Sequence, residues 1–203
     1  MRNWDDDEIE ARARQFRQAM GVDDLDWLDA PTLIFKLMHL LPGISYLIVK
    51  DSDLPDPGGQ WDANRKRLIF RRSVFENANK LNPDPRARFT IVHELTHAYL
   101  GHDGIRNRSP IGSLEKTIST KTRRIETITD RFTAAVLAPC HRMKPYETAE
   151  SIALRFGLSK RAAEIREEEA ARDYRLKNGL LRPIPDSIRQ LIDEMRNGRN
   201  VKE

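Results

Sequence analysis

Apolar residues recur along most of the chain at the spacing of one helix face. Residues 5–20 show this first, with Ile9, Ala13 and Phe16 three or four positions apart, and the pattern stops at Gly21. Such spacing predicts amphipathic helices, because every third or fourth side chain falls on the same side. The predicted helices cover residues 5–20, 31–41, 73–80, 84–100, 122–137, 148–156, 159–176 and 186–196.

Shorter segments between the second and third helices predict strands. Residues 44–49 are β-branched and aromatic, and residues 60–61 and 67–71 have the form of a hairpin turning about residues 62–64. Helices, then a small antiparallel sheet, then more helices predict an α+β fold that is mainly helical. Residues 101–120, which hold Gly, Ser, Pro and Asn, are predicted to form an irregular loop.

Composition indicates the compartment. No segment approaches the roughly 18 consecutive apolar residues of a membrane span, and the longest, 33–41, contains Lys36 and His39. The amino-terminal segment is acidic where a secretory signal is basic and then apolar. The single cysteine, Cys140, excludes an internal disulfide and suits a reducing environment. These features predict a cytoplasmic protein.

Charge is unevenly distributed over a chain whose net charge is only +4. Residues 104–131 carry seven basic side chains against Glu115, Glu126 and Asp130. Such a region can attract nucleic acid or an acidic partner, and it can equally be a solvated loop. The basic residues are Arg106, Arg108, Lys116, Lys121, Arg123, Arg124 and Arg131.

The helix over 84–100 contains His93-Glu94-Leu95-Thr96-His97, an H-E-x-x-H motif. Residues four apart on a helix lie about 40° apart around its axis, so His93 and His97 can bind one ion. Glu94 lies on the adjoining part of that face. Its carboxylate is therefore predicted to act as a general base toward water.

A catalytic zinc site needs a third protein ligand and an open position. Glu126 is the favoured candidate, and Asp130, one turn later, can support a liganding histidine. His102 is the rival, although the motif H-E-x-x-H-x-x-G-x-x-H requires histidine at 103, where this chain has Asp103. Cys140 is a further possible ligand, but it follows Glu126 by a helical distance of about 20 Å, which favours an ordinary thiol.

The two motifs together resemble the ImmA/IrrE family of metallopeptidases, which are zinc peptidases of the gluzincin type. The resemblance covers about residues 10–170 and rests on the decapeptide His-Glu-Leu-Thr-His-Ala-Tyr-Leu-Gly-His and on Glu126-x-x-x-Asp130-x-Phe132-x-Ala134-Ala135-x-Leu137-x-Pro139. The departures from the second motif are Thr129, Thr133, Val136 and Ala138, at positions that look like packing sites.

The resemblance implies one zinc ion at His93, His97 and Glu126, with Glu94 as base and Asp130 supporting a ligand. It also implies cleavage of a helix-turn-helix repressor that controls stress, defence or mobile-element genes. Residues 1–145 are then expected to form the metallopeptidase domain, and 146–203 a helical region. Three residues are candidates for oxyanion or substrate contacts: Tyr99, His102 and His141.

Residues 148–168 also have the rhythm of a helix-turn-helix, so a DNA-binding regulator is the alternative function. Lys160, Arg161 and Arg166 would then contact phosphates, although the second helix soon becomes rich in glutamate.

A peptidase would instead bind its substrate as an added strand, and the edge near 60–71 is the expected place.

Overall fold

Each predicted helix within the described part of the chain is present. The computed structural model describes residues 4–103, 105–107 and 120–180, so the helix predicted over 186–196 lies outside it. The helices alternate with a small sheet, which confirms the α+β class. In chain order the elements are α1 Asp6–Ala19, α2 Ala30–Leu40, β1 Ser45–Val49, β2 Gly59–Asp62, β3 Arg67–Arg71, α3 Arg72–Ala78, α4 Pro85–Tyr99, β4 Ile105–Asn107, α5 Thr120–Leu137, α6 Ala149–Phe156 and α7 Lys160–Lys177.

Short polar side chains set where the helices begin. Asp5, Asp29 and Asp84 each accept a backbone N–H of the first turn, at the starts of α1, α2 and α4. Thr148 and Ser159 do the same for α6 and α7. Each cap satisfies an N–H that has no partner inside the helix and contributes about 1 kcal/mol.

The sheet is mixed, so the prediction of a purely antiparallel sheet is wrong. Its strand order is β1-β3-β2-β4. The hairpin β2–β3 is antiparallel as predicted, whereas β1 and β3 pair in parallel, with Ser45 opposite Arg67. The chain reverses after β1 and again after β2, so β3 runs in the direction of β1 and lies between them. The order of apolar and polar residues within each strand does not show that β3 lies between β1 and β2 in the sheet.

The fourth strand lies in the segment predicted to be irregular. Ile105–Asn107 pairs antiparallel with Gln60–Asp62 of β2. The hairpin is therefore interior, and β1 and β4 are the two edges of the described sheet. A substrate edge at residues 60–71 is accordingly excluded, because both strands of the hairpin already have partners on each side.

Helix α4 lies in the middle of the fold. It contacts α2, α3, α5 and the β2 and β3 strands. Ile91, Val92 and Leu95 are fully buried. Burial of each such side chain contributes about 1.5–3 kcal/mol, so the helix that carries H-E-x-x-H is held rigidly from several sides.

Two buried arginines connect distant elements through backbone carbonyls. Arg17 of α1 donates to Val136 O, near the end of α5, at 2.6 Å. Arg88 of α4 donates to Phe156 O at 2.9 Å and to Gly157 O at 2.5 Å, at the end of α6. The last carbonyls of a helix have no hydrogen-bond donor inside it and carry partial negative charge. A guanidinium group supplies both the missing donor and a compensating positive charge.

A third buried arginine, Arg166 of α7, is only 2% exposed. It donates to Ala138 O at 2.9 Å and to Glu10 at 2.6 Å, and it touches the sulfur of Cys140 at 3.1 Å. The DNA-binding alternative assigned Arg166 to phosphate contacts, and its burial rules out that contact. Burial also raises the pKa of the Cys140 thiol to about 12.

The turn of the predicted helix-turn-helix packs against Arg88 of α4 and against Trp27. Gly157 has a left-handed φ of +65°, and a Cβ added there would lie 1.9 Å from Arg88 Nη1 and 2.3 Å from the Trp27 ring. Among the described helices, none is both long enough and apolar enough to cross a membrane.

Candidate metal centre

Three side chains from two helices converge at one point. His93 and His97 lie one turn apart on α4, and Glu126 reaches them from α5. Nε2 of His93 is 3.0 Å from Nε2 of His97. Glu126 Oε2 is 3.3 Å from the first nitrogen and 3.4 Å from the second. Two imidazole nitrogens and a carboxylate oxygen therefore form a triangle of facing lone pairs.

This triangle fits a zinc ion. A four-coordinate zinc with bonds of about 2.0–2.1 Å holds its ligand atoms about 3.3 Å apart, close to the three separations found here. Two histidines and a glutamate are also a ligand set of catalytic zinc sites, which keep a fourth position open. Among the described residues this is the one group of three or more such side chains whose ligand atoms all lie within 4.8 Å of one another.

Charge at the triangle favours a cation. Asp130 Oδ1 lies 3.1 Å from Nδ1 of His93, on the other side of the ring from Glu126. Burial lowers the pKa of His93. Its hydrogen bonds to Asp130 and Glu126 have the larger combined effect, and the net result is a pKa raised to about 9. Burial raises the pKa of Glu126, yet the two imidazoles hold it well below the ordinary range. The carboxylates thus stabilise positive charge at the point that His93, His97 and Glu126 share, and a divalent ion bound there would supply that charge.

Glu94 follows His93 on α4 and is completely buried. The backbone of β2 presses against it, since a Cβ added to Gly59 would lie 2.9 Å from Glu94 Cγ and 2.7 Å from Thr90 Cγ2. Separations this short leave room for glycine alone. The strand therefore confines the Glu94 carboxylate, whose charge contributes to the raised pKa of His93.

His102, the rival third ligand, lies behind His97. Its Nδ1 is 2.8 Å from Nδ1 of His97. His97 turns its other nitrogen, Nε2, toward His93 and Glu126. The two nitrogens of an imidazole point in divergent directions, so His102 does not face the point that the triangle shares.

The other two candidate residues lie in different surroundings. Tyr99 packs edge-on against Phe16, with ring centroids 4.7 Å apart. His141 Nε2 is 3.2 Å from Asp23 Oδ1. Burial, offset in part by Asp23, lowers the pKa of His141. Oxyanion or substrate contacts by Tyr99 and His141 stay predictions.

The two threonines among the departures from the second motif have hydrogen-bond partners for their hydroxyl groups. Thr129 and Thr133 are fully buried, where an unsatisfied hydroxyl would be costly. Thr129 donates to Ile125 O at 2.9 Å, and Thr133 donates to the hydroxyl of Thr96 at 3.3 Å. The second bond joins α5 to α4 at Thr96, one residue before His97.

Sequence reasoning missed two residues beside the site. The sequence places Gly59 in the turn-rich connection before the hairpin, whereas the structure has it as the first residue of β2, and no pattern shows that Glu94 packs on it. Trp61 donates its Nε1–H to His102 O at 3.0 Å. A paired glycine, Gly58-Gly59, just before a strand was the available signal, because glycine in a strand often marks close approach of another group.

Comparison with known proteins covers more than half of the chain. The family model described as Peptidase_M78, IrrE N-terminal-like domain, matches residues 53–167. The match includes all three residues of the triangle, and it runs past the boundary predicted at 145. No curated protein matches.

Proposed function

The chain belongs to the Peptidase_M78 family of IrrE N-terminal-like domains, and from that premise we propose that it is a zinc-dependent endopeptidase. The observation that carries the proposal is the convergence of His93, His97 and Glu126 within 3.0–3.4 Å, from the two packed helices α4 and α5. In this proposal these three residues hold the ion, Glu94 is the general base and Asp130 supports His93.

The residues supply positioning and proton transfer. A bound zinc ion supplies Lewis-acid polarisation of a peptide carbonyl and of water. Glu94, confined by Gly59, accepts a proton from water at its carboxylate and later delivers that proton to the leaving amine. Asp130 accepts the Nδ1 proton of His93, which leaves Nε2 of that ring as the donor toward the ion.

We further propose that the substrate is a helix-turn-helix repressor encoded nearby. The support for this substrate is family membership. The site residues named above account for hydrolysis of a peptide bond but do not identify which protein is cleaved. Nucleic acid is the proposed activating ligand of the basic region 104–131. Within the described part of that region, Lys121, Arg123 and Arg124 are exposed near the start of α5 and can meet phosphates.

The experiment incubates the zinc-loaded protein with the neighbouring repressor, with and without DNA, and identifies fragments by mass spectrometry. Wild type should cleave at one site, whereas Glu94→Gln should keep zinc and produce no fragments. Glu150→Gln, an exposed position on α6, is the matched control and should cleave as wild type does. Equal cleavage by Glu94→Gln would refute the base, and absence of fragments in every condition would refute the repressor as substrate.

A further inference from the structure

Helix α4 ends in a turn that carries the chain back over its last residues. Gly101 has a left-handed φ of +64°. Its N–H bonds to Ala98 O at 3.3 Å, and the N–H of His102 bonds to His97 O at 3.0 Å. This pair of bonds is a Schellman motif, which places the residue after the glycine next to the residue five positions earlier. In this chain those two residues are both histidines.

The side chain of His102 is held from two directions. Its Nδ1 lies 2.8 Å from Nδ1 of His97, with the two rings tilted by 65°. Trp61, buried on β2, donates to the backbone oxygen of His102. His102 as a whole is only 6% exposed. Helix turn and sheet together therefore hold His102 against the back of His97.

One proton must lie between the two facing nitrogens, because a hydrogen bond needs one donor and one acceptor. His97 directs Nε2 toward Glu126 and His93, so a neutral His97 that offers a lone pair there carries its proton on Nδ1. His102 must then accept at Nδ1 and carry its own proton on Nε2. The geometry thus selects one tautomer for each ring.

We propose that His102 is a positioning residue for the metal ligand His97, which it orients and holds in the Nδ1–H tautomer. This inference rests on the proposed function, because it takes Nε2 of His97 as a metal-binding atom. Asp130 has the corresponding place behind His93. A neutral acceptor behind His97 avoids adding a further carboxylate to a site that already has Glu94, Glu126 and Asp130.

The first test reads the tautomers directly. Long-range ¹⁵N–¹H spectra of the full zinc-loaded chain, which has five histidines, report the protonation of each ring nitrogen. The expected result is a proton on Nδ1 and metal on Nε2 for His97, with an unprotonated Nδ1 and a protonated Nε2 for His102. A proton on Nδ1 of His102 donated toward His97 would overturn the proposal.

The second test compares two substitutions by zinc competition with a chelating dye. His102→Leu removes the acceptor and should weaken zinc binding by about 10–100-fold. His102→Asn keeps an acceptor near the Nδ1 position and should stay within a few-fold of wild type. His39→Leu, at an exposed histidine on α2, is the matched control and should not change affinity.

The outcomes separate the two claims. Equal zinc affinity for wild type and His102→Leu would refute the positioning role while leaving the zinc peptidase intact. Equal losses for His102→Leu and His102→Asn would show that ring volume matters in place of the acceptor, which also refutes it. Failure of the folded wild type to bind zinc would refute the proposed function and this inference with it. The absorption spectrum of the Co²⁺-loaded variants provides a second readout of the ligand set.

Discussion

Replacing Gly157 by alanine tests whether the turn between α6 and α7 is fixed to α4, the helix that carries the H-E-x-x-H motif. The chain offers a close control in Gly21, which follows α1 with a φ of +63°, against +65° at Gly157. Any side chain in this left-handed conformation costs about 1–2 kcal/mol, and both substitutions bear that cost. An added Cβ at Gly21 meets nothing within 4 Å, whereas at Gly157 it meets Arg88 Nη1 at 1.9 Å.

The difference between the two variants follows from what Arg88 loses. To clear the new Cβ, its guanidinium must leave Phe156 O and Gly157 O, and a hydrogen bond from a charged donor contributes about 1.5–3 kcal/mol. Gly157→Ala should therefore lower the free energy of unfolding by about 3 kcal/mol or more beyond Gly21→Ala. Urea unfolding followed by circular dichroism measures both values.

A double substitution identifies the cause. Arg88→Ala alone should destabilise the protein, because it leaves buried carbonyls without their donor. Combined with Gly157→Ala, its effect should be clearly less than additive, since the clash and the lost bonds concern the same guanidinium. The reasoning is refuted if Gly157→Ala and Gly21→Ala lower stability equally, or if the double variant shows simple addition.

Three further predictions concern the site and its surroundings. Zinc affinity should rise with pH by about tenfold per unit between about pH 6.5 and pH 8.5, because the ion displaces a proton from His93, whose pKa is raised to about 9; a flat titration calorimetry profile would contradict this. Gly59→Ala should keep zinc but lower the cleavage rate at least tenfold by displacing Glu94, an outcome to be measured beside Gly43→Ala, whose Cβ would meet nothing within 4 Å. Cys140, with its pKa raised to about 12, should react with iodoacetamide far more slowly in the native protein than in urea, and equal rates would show that the thiol is exposed.

The sequence predicted the helices and the pairing of His93 with His97 on one helix face because both depend on local patterns. Caps such as Asp84 and Ser159 mark helix starts within a few residues, and H-E-x-x-H has a fixed meaning on a helix. The parallel pairing of β1 with β3 arises because β3 lies between β1 and β2 in the sheet, and no local sequence pattern indicates this. Arg88 is a further case, since a charged residue is ordinarily assigned to the surface, and only the fold shows the carbonyls that it satisfies.

The buried arginines have a consequence for how the enzyme is synthesised. Arg17 bonds to a carbonyl 119 positions later, and Arg88 to one 68 positions later. Ribosomes deliver the amino-terminal part first, so the partners Val22 O of Arg17 and Leu28 O of Arg88 are synthesised early. The long-range bond of each guanidinium can form only after the carboxyl-terminal helices have emerged. A nascent chain that stops before Val136 leaves Arg17 without its distant acceptor, and one that stops before Phe156 does the same for Arg88. The contacts that join α1 to α5 and α4 to α6 are therefore among the last to be completed during synthesis.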